Sequence, residues 1–250
     1  MSLQLRFLGH ASFQVITESG TNILIDPWLT GETSLGVPPS PVSINEFDNV
    51  DLVMVSHRSV DHVGNSIEIV KRSGALLICG PDTRLLAMEE GITEDQIAVA
   101  IWGVTIQHKG IHVKIVESHH ISFAITEDGK YITGIPLGFV LITETGTSIY
   151  YPGDTSLFSD LKLIGELYKP DIALLHVGGV NYRGRPMAEM SPREAAIAAN
   201  WLGAKIAIPM HYLPQNTHEP QQFAEELKAQ SPNITPVILK AGDFFEYSGS

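Results

Sequence analysis

Short runs rich in Ile, Val and Leu recur along almost the whole chain: LQLRFLG, ASFQVIT, TNILIDP, DLVMVSH, ALLICG, IAVAI, IHVKIVES, LGFVLITE, TSIYYPG, DIALLHVGG, AKIAIPM, TPVILKAG and DFFEYS. Gly, Pro, Asn or Asp bounds them, and their length and residue types predict strands. Helical spacing is confined to 64–73, 82–90, 157–168, 192–201 and 220–229. The fourth has the clearest start: Ser191 can cap, Pro192 follows where a missing N–H costs nothing, and Glu194 completes a capping box. Strands open the chain and helices are interleaved later, a pattern of layered α/β architecture. With 250 residues, 44% of them hydrophobic, the chain is long enough to bury a large core.

No internal repeat, heptad or low-complexity tract divides the sequence, and LGVPPSP at 35–41 reads as a loop, so residues 1–250 are expected to form one domain. The stretches 121–136 and 178–191 read as irregular. The formal charge of −12 opposes nonspecific binding to nucleic acid or anionic lipid. Neither a signal peptide nor an apolar window long enough to span a bilayer is visible. The lone Cys79, inside ALLICG, reads as a buried strand residue. These features together predict a cytoplasmic protein with no membrane or nucleic-acid partner.

The chemistry concentrates in HRSVDH, where His57, Asp61 and His62 follow a strand and precede a helix. A strand-to-helix turn lets polar side chains converge while the flanking elements hold the backbone, and neutral imidazole with carboxylate is a donor set that Zn²⁺, Mn²⁺ and Fe²⁺ accept. Capping of the helix by Asp61 is the alternative reading. Three more strand ends carry the same residue types: His119 and His120 in ESHH, Asp154 in YYPGD, and His211 in IPMH. Strand ends of a layered α/β fold share a rim where ligands bind.

The segments LGHASF, NILIDPWLTG, HRSVDHVGN, HVKIVESHH, YYPGDTSLFSDLKLIGELYKPDIALL and AKIAIPMHY, in this order, resemble the metallo-β-lactamase superfamily. They look like its branch of metal-dependent hydrolases that includes L-ascorbate-6-phosphate lactonase. The resemblance implies a four-layer αββα sandwich of two mixed sheets flanked by helices, with a metal site at one edge. Carried over position by position, His57 and His120 hold one ion, Asp61, His62 and His211 a second, and Asp154 bridges. His119 becomes a neighbour of the site. The family pattern His-x-His-x-Asp-His is broken here by Ser59, a neutral hydroxyl and a poor ligand for a borderline-soft ion. One tightly held ion at Asp61, His62 and His211 is therefore expected, with weak occupancy beside His57 and His120. His176 or His119 is the candidate to replace the missing imidazole, although a buried or hydrogen-bonded His176 is the favoured reading.

The implied function is a metal-dependent hydrolase acting on a small molecule, with Zn²⁺ expected first and Mn²⁺ or Fe²⁺ as options, as one or two ions. Asp61 or Asp154 would orient the attacking water and take its proton, and His10, in the LGHAS turn, would donate a hydrogen bond or proton. Asp26 in ILIDP is expected to hold a ligand imidazole or its loop. Arg58, Arg183 and Arg185, in a chain with few basic residues, suggest an anionic substrate, phosphorylated or lactone-like. Two other classes stay open: a catalytically weakened metal- or metabolite-binding protein, because of Ser59, and an iron-dependent redox enzyme. His108, His112 and His218 have no motif partners and read as surface or strand residues, while Trp28, Trp102 and Trp201 read as core or pocket wall. The resemblance permits a homo-oligomer, but no sequence feature marks an interface.

Overall fold

A computed structural model describes residues 2–126, 129–178, 188–213, 216 and 218–249, and the backbone of 181–182 and 185–186. In chain order the strands are β1 (Leu3–Gly9), β2 (Ser12–Ile16), β3 (Asn22–Ile25), β4 (Leu52–Met54), β5 (Leu76–Cys79), β6 (Ile97–Val99), β7 (Thr105–His108), β8 (Ile111–Glu117) and β9 (Ser122–Ile125). They continue with β10 (Tyr131–Gly134), β11 (Leu137–Ile142), β12 (Ser148–Tyr151), β13 (Ile172–His176), β14 (Asn181–Tyr182), β15 (Arg185–Pro186), β16 (Ile206–Met210), β17 (Thr235–Pro236) and β18 (Phe244–Tyr247). The helices are α1 (Val60–Val63), α2 (Ser66–Ser73), α3 (Pro81–Glu89), α4 (Leu161–Tyr168), α5 (Pro192–Leu202) and α6 (His218–Gln230).

Two seven-stranded sheets form the centre, ordered β18-β1-β2-β3-β4-β5-β6 and β17-β16-β13-β12-β11-β8-β7. Both are mixed. The first runs antiparallel from β18 to β3 and parallel from β3 to β6. The second runs antiparallel from β7 to β12 and parallel from β12 to β17. Alternation along the strands explains how they stack: Leu5, Phe13 and Ile25 of one sheet share a buried cluster with Ile115, Phe139 and Leu174 of the other. On the outer face of the first sheet Leu24, Val53 and Leu77 meet Ile69 of α2 and Ala87 of α3. On the outer face of the second, Val140, Ala173 and Ala207 meet Ile164 of α4, Ala195 of α5 and Phe223 of α6. The layers are therefore helix, sheet, sheet, helix, as the resemblance implied. Among the described residues no helix is long and apolar enough to cross a membrane.

Helix α5 shows how locally some elements are specified. Ser191 and Glu194 form the reciprocal capping box, Pro192 occupies the first turn, and Gly203 closes the helix in the left-handed region at φ 66. Its C-terminal end lies so close to α4 that a Cβ on Gly165 would stand 2.5 Å from the Trp201 carbonyl oxygen and 2.8 Å from Leu202 Cα. Gly165→Ala is expected to lower stability by roughly 1–3 kcal/mol, because the overlap with backbone outweighs the better helix propensity of alanine. Urea unfolding measures it, and an unchanged or raised midpoint would show that the two helices separate freely.

Several sequence expectations shift. The stretch 121–136 contains the β9–β10 hairpin, paired antiparallel with Phe123 opposite Thr133 and Ile125 opposite Tyr131. The stretch 178–191 contains the short antiparallel pair β14 and β15. Helix α4 starts at Leu161 rather than 157, because the Ser156 N–H bonds to the His119 carbonyl and ties the preceding segment to the loop after β8. Of TPVILKAG only Thr235–Pro236 pairs as a strand. Trp28 is buried, but Trp102 is 41% exposed, with its indole N–H on the Pro136 carbonyl at 2.8 Å, which corrects its placement in core or pocket wall. His108 and His112 lie on β7 and β8, and His218 opens α6. Cys79 is buried as expected, and burial pushes its thiol up to about 12.

Candidate metal centre

The strand ends β1, β3, β4, β8, β12 and β16 are followed, within a few residues, by His10, Asp26, His57, His120, Asp154 and His211. Three of these, His10, Asp26 and His211, hold positive φ values of 52, 45 and 59. Such backbone costs on the order of 1–3 kcal/mol per residue and persists only where surroundings over-determine it. Here the His211 N–H bonds to the His10 carbonyl at 2.8 Å and the Asp26 N–H to the Met54 carbonyl at 2.9 Å. The Ser12 hydroxyl donates to the Asp26 carbonyl at 2.6 Å and accepts from Trp28 N–H at 2.8 Å. Gly153, at φ 64, lets the β12 end pass Ser56, where an added Cβ would lie 2.8 Å from the Ser56 Cβ.

Among the described residues two donor groups result. Asp61, His62, Asp154 and His211 offer ligand atoms within 4.8 Å of one another, and so do His57, His120 and Asp154. Asp154 belongs to both: its Oδ2 lies 3.2 Å from His62 Nε2, 3.3 Å from His211 Nε2, and 3.9 Å from the Nε2 atoms of His57 and His120. Asp61 Oδ2 is 3.5 Å from His211 Nε2 and 3.8 Å from His62 Nε2. Despite these approaches, the buried His62 Nε2, His211 Nε2 and Asp154 Oδ1 make no hydrogen bond among the described residues. Buried polar atoms left this way are costly. Nitrogen and oxygen atoms gathered without bonding one another are what ligands around a shared cation look like, so the residues fit a divalent metal.

Asp26 orients the set. Fully buried, it accepts from Ser56 N–H at 2.8 Å, the Ser56 hydroxyl at 2.5 Å, the Tyr151 hydroxyl at 2.6 Å and His62 Nδ1 at 2.6 Å. Because a carboxylate only accepts, His62 carries its proton on Nδ1, and Nε2 faces Asp154 and Asp61.

Burial opposes charge on every group here, and neighbouring charges decide the outcome. Against that desolvation, His211 and His62 hold the Asp154 carboxyl well below the usual range, and His62 and His10 do the same for Asp61. Asp154 with Asp26 and Asp61 keeps His62 well above the ordinary imidazole value, and Asp154 with Glu189 does so for His211. Burial wins at His57, which is held well below, and at His120, which is lowered. A raised imidazole pKa means that His62 and His211 carry extra protons in the metal-free protein at pH 7, and both must be neutral to bind metal. Loading is therefore expected to release about one proton from each, with affinity rising as pH increases through their elevated values. Calorimetry in buffers of different ionisation enthalpy counts the protons, and pH-independent loading without release would contradict the sign.

The remaining candidates separate clearly. Ser59, at the start of α1, points its hydroxyl at Asp61 Oδ1 instead of capping the helix. His119 is exposed and stacks on Phe158 with ring centroids 4.1 Å apart, outside both groups. His176 accepts the Met190 N–H on Nε2 at 2.7 Å, so it is committed to the backbone. Neither stands in for the missing histidine among the described residues. His10 Nε2 lies 3.3 Å from Asp61 Oδ2, and burial together with His211 lowers its pKa to about 4. That contact places the His10 ring where it can donate a hydrogen bond to Asp61. Arg58 donates its backbone N–H to the Ser122 hydroxyl and Nη1 to the Asp82 carbonyl. Arg183 lies outside the described residues, as does the side chain of Arg185.

Sequence reasoning missed Tyr151, Ser56 and Glu189. Tyr151 occupies an inward strand position of YYPGD that alternation alone could have flagged. Glu189 had no such signal: it sits in the stretch read as irregular, yet its carboxyl is buried, its Oε2 is 3.9 Å from His211 Nδ1, and burial pushes it up to about 8.

Comparison with known proteins gives the same outline. Residues 21–212 match the family described as Beta-lactamase superfamily domain. The chain is 35% identical over 249 residues to a UPF0173 metal-dependent hydrolase of Methanobrevibacter smithii, covering 98% of each. It is 37% identical to UPF0173 metal-dependent hydrolase MK1542 of Methanopyrus kandleri, covering 98% of this chain and 100% of that one. Among solved structures, Igni18, a metallo hydrolase from Ignicoccus hospitalis, superposes with a TM-score of 0.81 at 25% identity, covering 100% of both chains.

Proposed function

Since the chain belongs to the β-lactamase superfamily, among its UPF0173 metal-dependent hydrolases, we propose that it hydrolyses a small ester or lactone at the group Asp61, His62, Asp154 and His211. The observation that carries this reading is the convergence of these four side chains with buried nitrogen and oxygen atoms left unbonded. A divalent metal held there, Zn²⁺ first among the options, supplies water with its pKa lowered from 15.7 toward about 7 and a polarised scissile carbonyl.

The chain's own residues do the rest. Asp154 and Asp61 are kept ionised at neutral pH, so either carboxylate accepts the proton of the attacking water. Asp61, whose side chain is 22% exposed, is the one able to carry that proton to the leaving oxygen. His10 donates Nε2–H to Asp61 Oδ2 and fixes its orientation. His62, locked by Asp26, and His211, held by the His10 carbonyl, set the geometry to which substrate must conform.

One tightly held ion belongs to this reading, because Ser59 leaves the second group with His57, His120 and the shared Asp154 alone. A phosphorylated lactone, the substrate class of the resembling lactonase, is the finer version, which the phosphorylated analogues of the assay test, since Arg58 already gives Nη1 to the Asp82 carbonyl. A cytoplasmic reaction on a small molecule, away from nucleic acid and membrane, accords with the charge of −12. The test loads metal-stripped protein separately with Zn²⁺, Mn²⁺ and Fe²⁺ and assays ester, lactone and phosphodiester substrates, each with and without a phosphate group. Turnover that disappears with chelator and returns with one metal equivalent is expected. Absence of turnover with every metal would leave a binding role in its place. Equal rates on neutral and phosphorylated analogues would remove the anion. Ser59→His is expected to raise bound metal toward two equivalents by elemental analysis, and two equal equivalents in the unaltered protein would contradict the assignment.

A further inference from the structure

A cleft of about 310 Å³ opens directly against the second donor group, with His57 and His120 in its wall. Its other walls are largely apolar and come from two separate elements. Val60, on α1, is 67% exposed; Ile121 and Phe123, flanking the start of β9, are 51% and 43% exposed. The chain places these side chains outward for a local reason. Ser122 between them turns inward, its hydroxyl donating to Asp82 Oδ2 at 2.5 Å and accepting from Arg58 N–H at 2.9 Å. With strand period two, that pin sends residues 121 and 123 to the opposite side. On α1 the neighbouring Asp61 and His62 turn inward to join Asp154 and His211, which leaves Val60 over the cleft.

Apolar side chains kept exposed around a concavity are a binding signature when the concavity adjoins polar, chemically competent groups. Among the described residues the one charged side chain in the wall, Arg58, already gives Nη1 to the Asp82 carbonyl at 2.8 Å. We infer that this cleft binds the nonpolar part of the substrate, an acyl or alkyl chain attached to the ester or lactone carbonyl, held between Val60 on one side and Ile121 and Phe123 on the other. A volume at the low end of small-molecule sites suits a chain of roughly four to eight carbons. The inference rests on the hydrolase reading for the identity of the scissile group, while the chain-binding claim is testable without turnover.

Two measurements on the full-length, Zn²⁺-loaded protein decide it. Calorimetric titration compares acetate with hexanoate. Full burial of a methylene is worth about fourfold in affinity, so half-burial of four of them predicts that hexanoate binds at least roughly tenfold more tightly. Initial rates on p-nitrophenyl acetate and p-nitrophenyl hexanoate should show the same preference in kcat/KM. Phe123→Ser and Val60→Ser, both at exposed positions where folding is preserved, are each expected to shrink the binding preference to within about threefold. Equal affinity of acetate and hexanoate for the unaltered protein overturns the inference, as does a preference that survives both substitutions. A change in sedimentation caused by Phe123→Ser, with alkanoate preference intact, would assign the face to a second copy of the chain and also overturn it. Failure of both esters to turn over would count against the hydrolase reading alone, since the calorimetric result still stands.

Discussion

Asp154→Asn is expected to abolish metal retention at both donor groups and to lower kcat/KM by on the order of 10³-fold or more, about 4 kcal/mol of transition-state stabilisation. Asp154 is the residue shared by the two groups, with Oδ2 within 3.9 Å of four imidazole nitrogens. Removing its charge takes an anionic donor from each group and leaves the imidazoles with less negative charge to offset their mutual repulsion. His120→Ala, by contrast, touches only the group that Ser59 already weakens, and a loss below about tenfold is expected there. Equilibrium dialysis against Zn²⁺ and steady-state rates, taken together, separate the two. Metal-dependent turnover of Asp154→Asn within about tenfold of the unaltered protein would show that the two donor groups do not depend on a common carboxylate.

Substitution of Asp26 has the second largest expected effect and acts on the centre through His62. In Asp26→Ala the buried Ser56, Tyr151 and His62 donors all lose an acceptor, which predicts a loss of roughly 3–5 kcal/mol in folding stability. Asp26→Asn is the more informative variant, because it keeps shape and can still accept from Ser56 N–H. An amide placed with its NH₂ toward His62 forces Nδ1 to accept, moves the ring proton to Nε2, and so blocks the lone pair that faces Asp154. Zn²⁺ affinity is then expected to fall by about 10–100-fold while the fold persists. Nitrogen-15 NMR of the histidine rings reads the tautomer directly. A ring that keeps its proton on Nδ1, together with unchanged Zn²⁺ affinity, would refute the orienting role of Asp26.

The open cleft changes how Ser59 is understood. On the sequence, Ser59 is a missing ligand. In the structure it lines the cleft beside His57 and His120, and its hydroxyl serves Asp61. An imidazole introduced at that position would enter the same space that Val60, Ile121 and Phe123 enclose. Ser59→His is therefore informative twice over: gain of a second metal equivalent and loss of hexanoate preference are expected in the same protein.

What the sequence determined by itself was the set of elements with strong local periodicity and the residue types at their ends. The Ile- and Val-rich runs specify strands almost wherever they stand, and Ser191, Pro192 and Glu194 specify the start of α5, because these effects act within a few residues. The positions of His57, Asp61, His62, Asp154 and His211 at strand ends were legible for the same reason. Resemblance, rather than periodicity, supplied the layering of the sheets. The sequence reading expected Asp26 to hold a ligand imidazole or its loop and favoured a hydrogen-bonded His176; tertiary structure supplied their partners, His62 and the Met190 N–H, and alone brought Glu189 to face His211 and turned Ile121 and Phe123 outward beside the centre. Each of those facts depends on segments distant in sequence being brought within about 4 Å and stripped of water, where a neighbour's charge and the loss of hydration set protonation and direction more strongly than any local preference can.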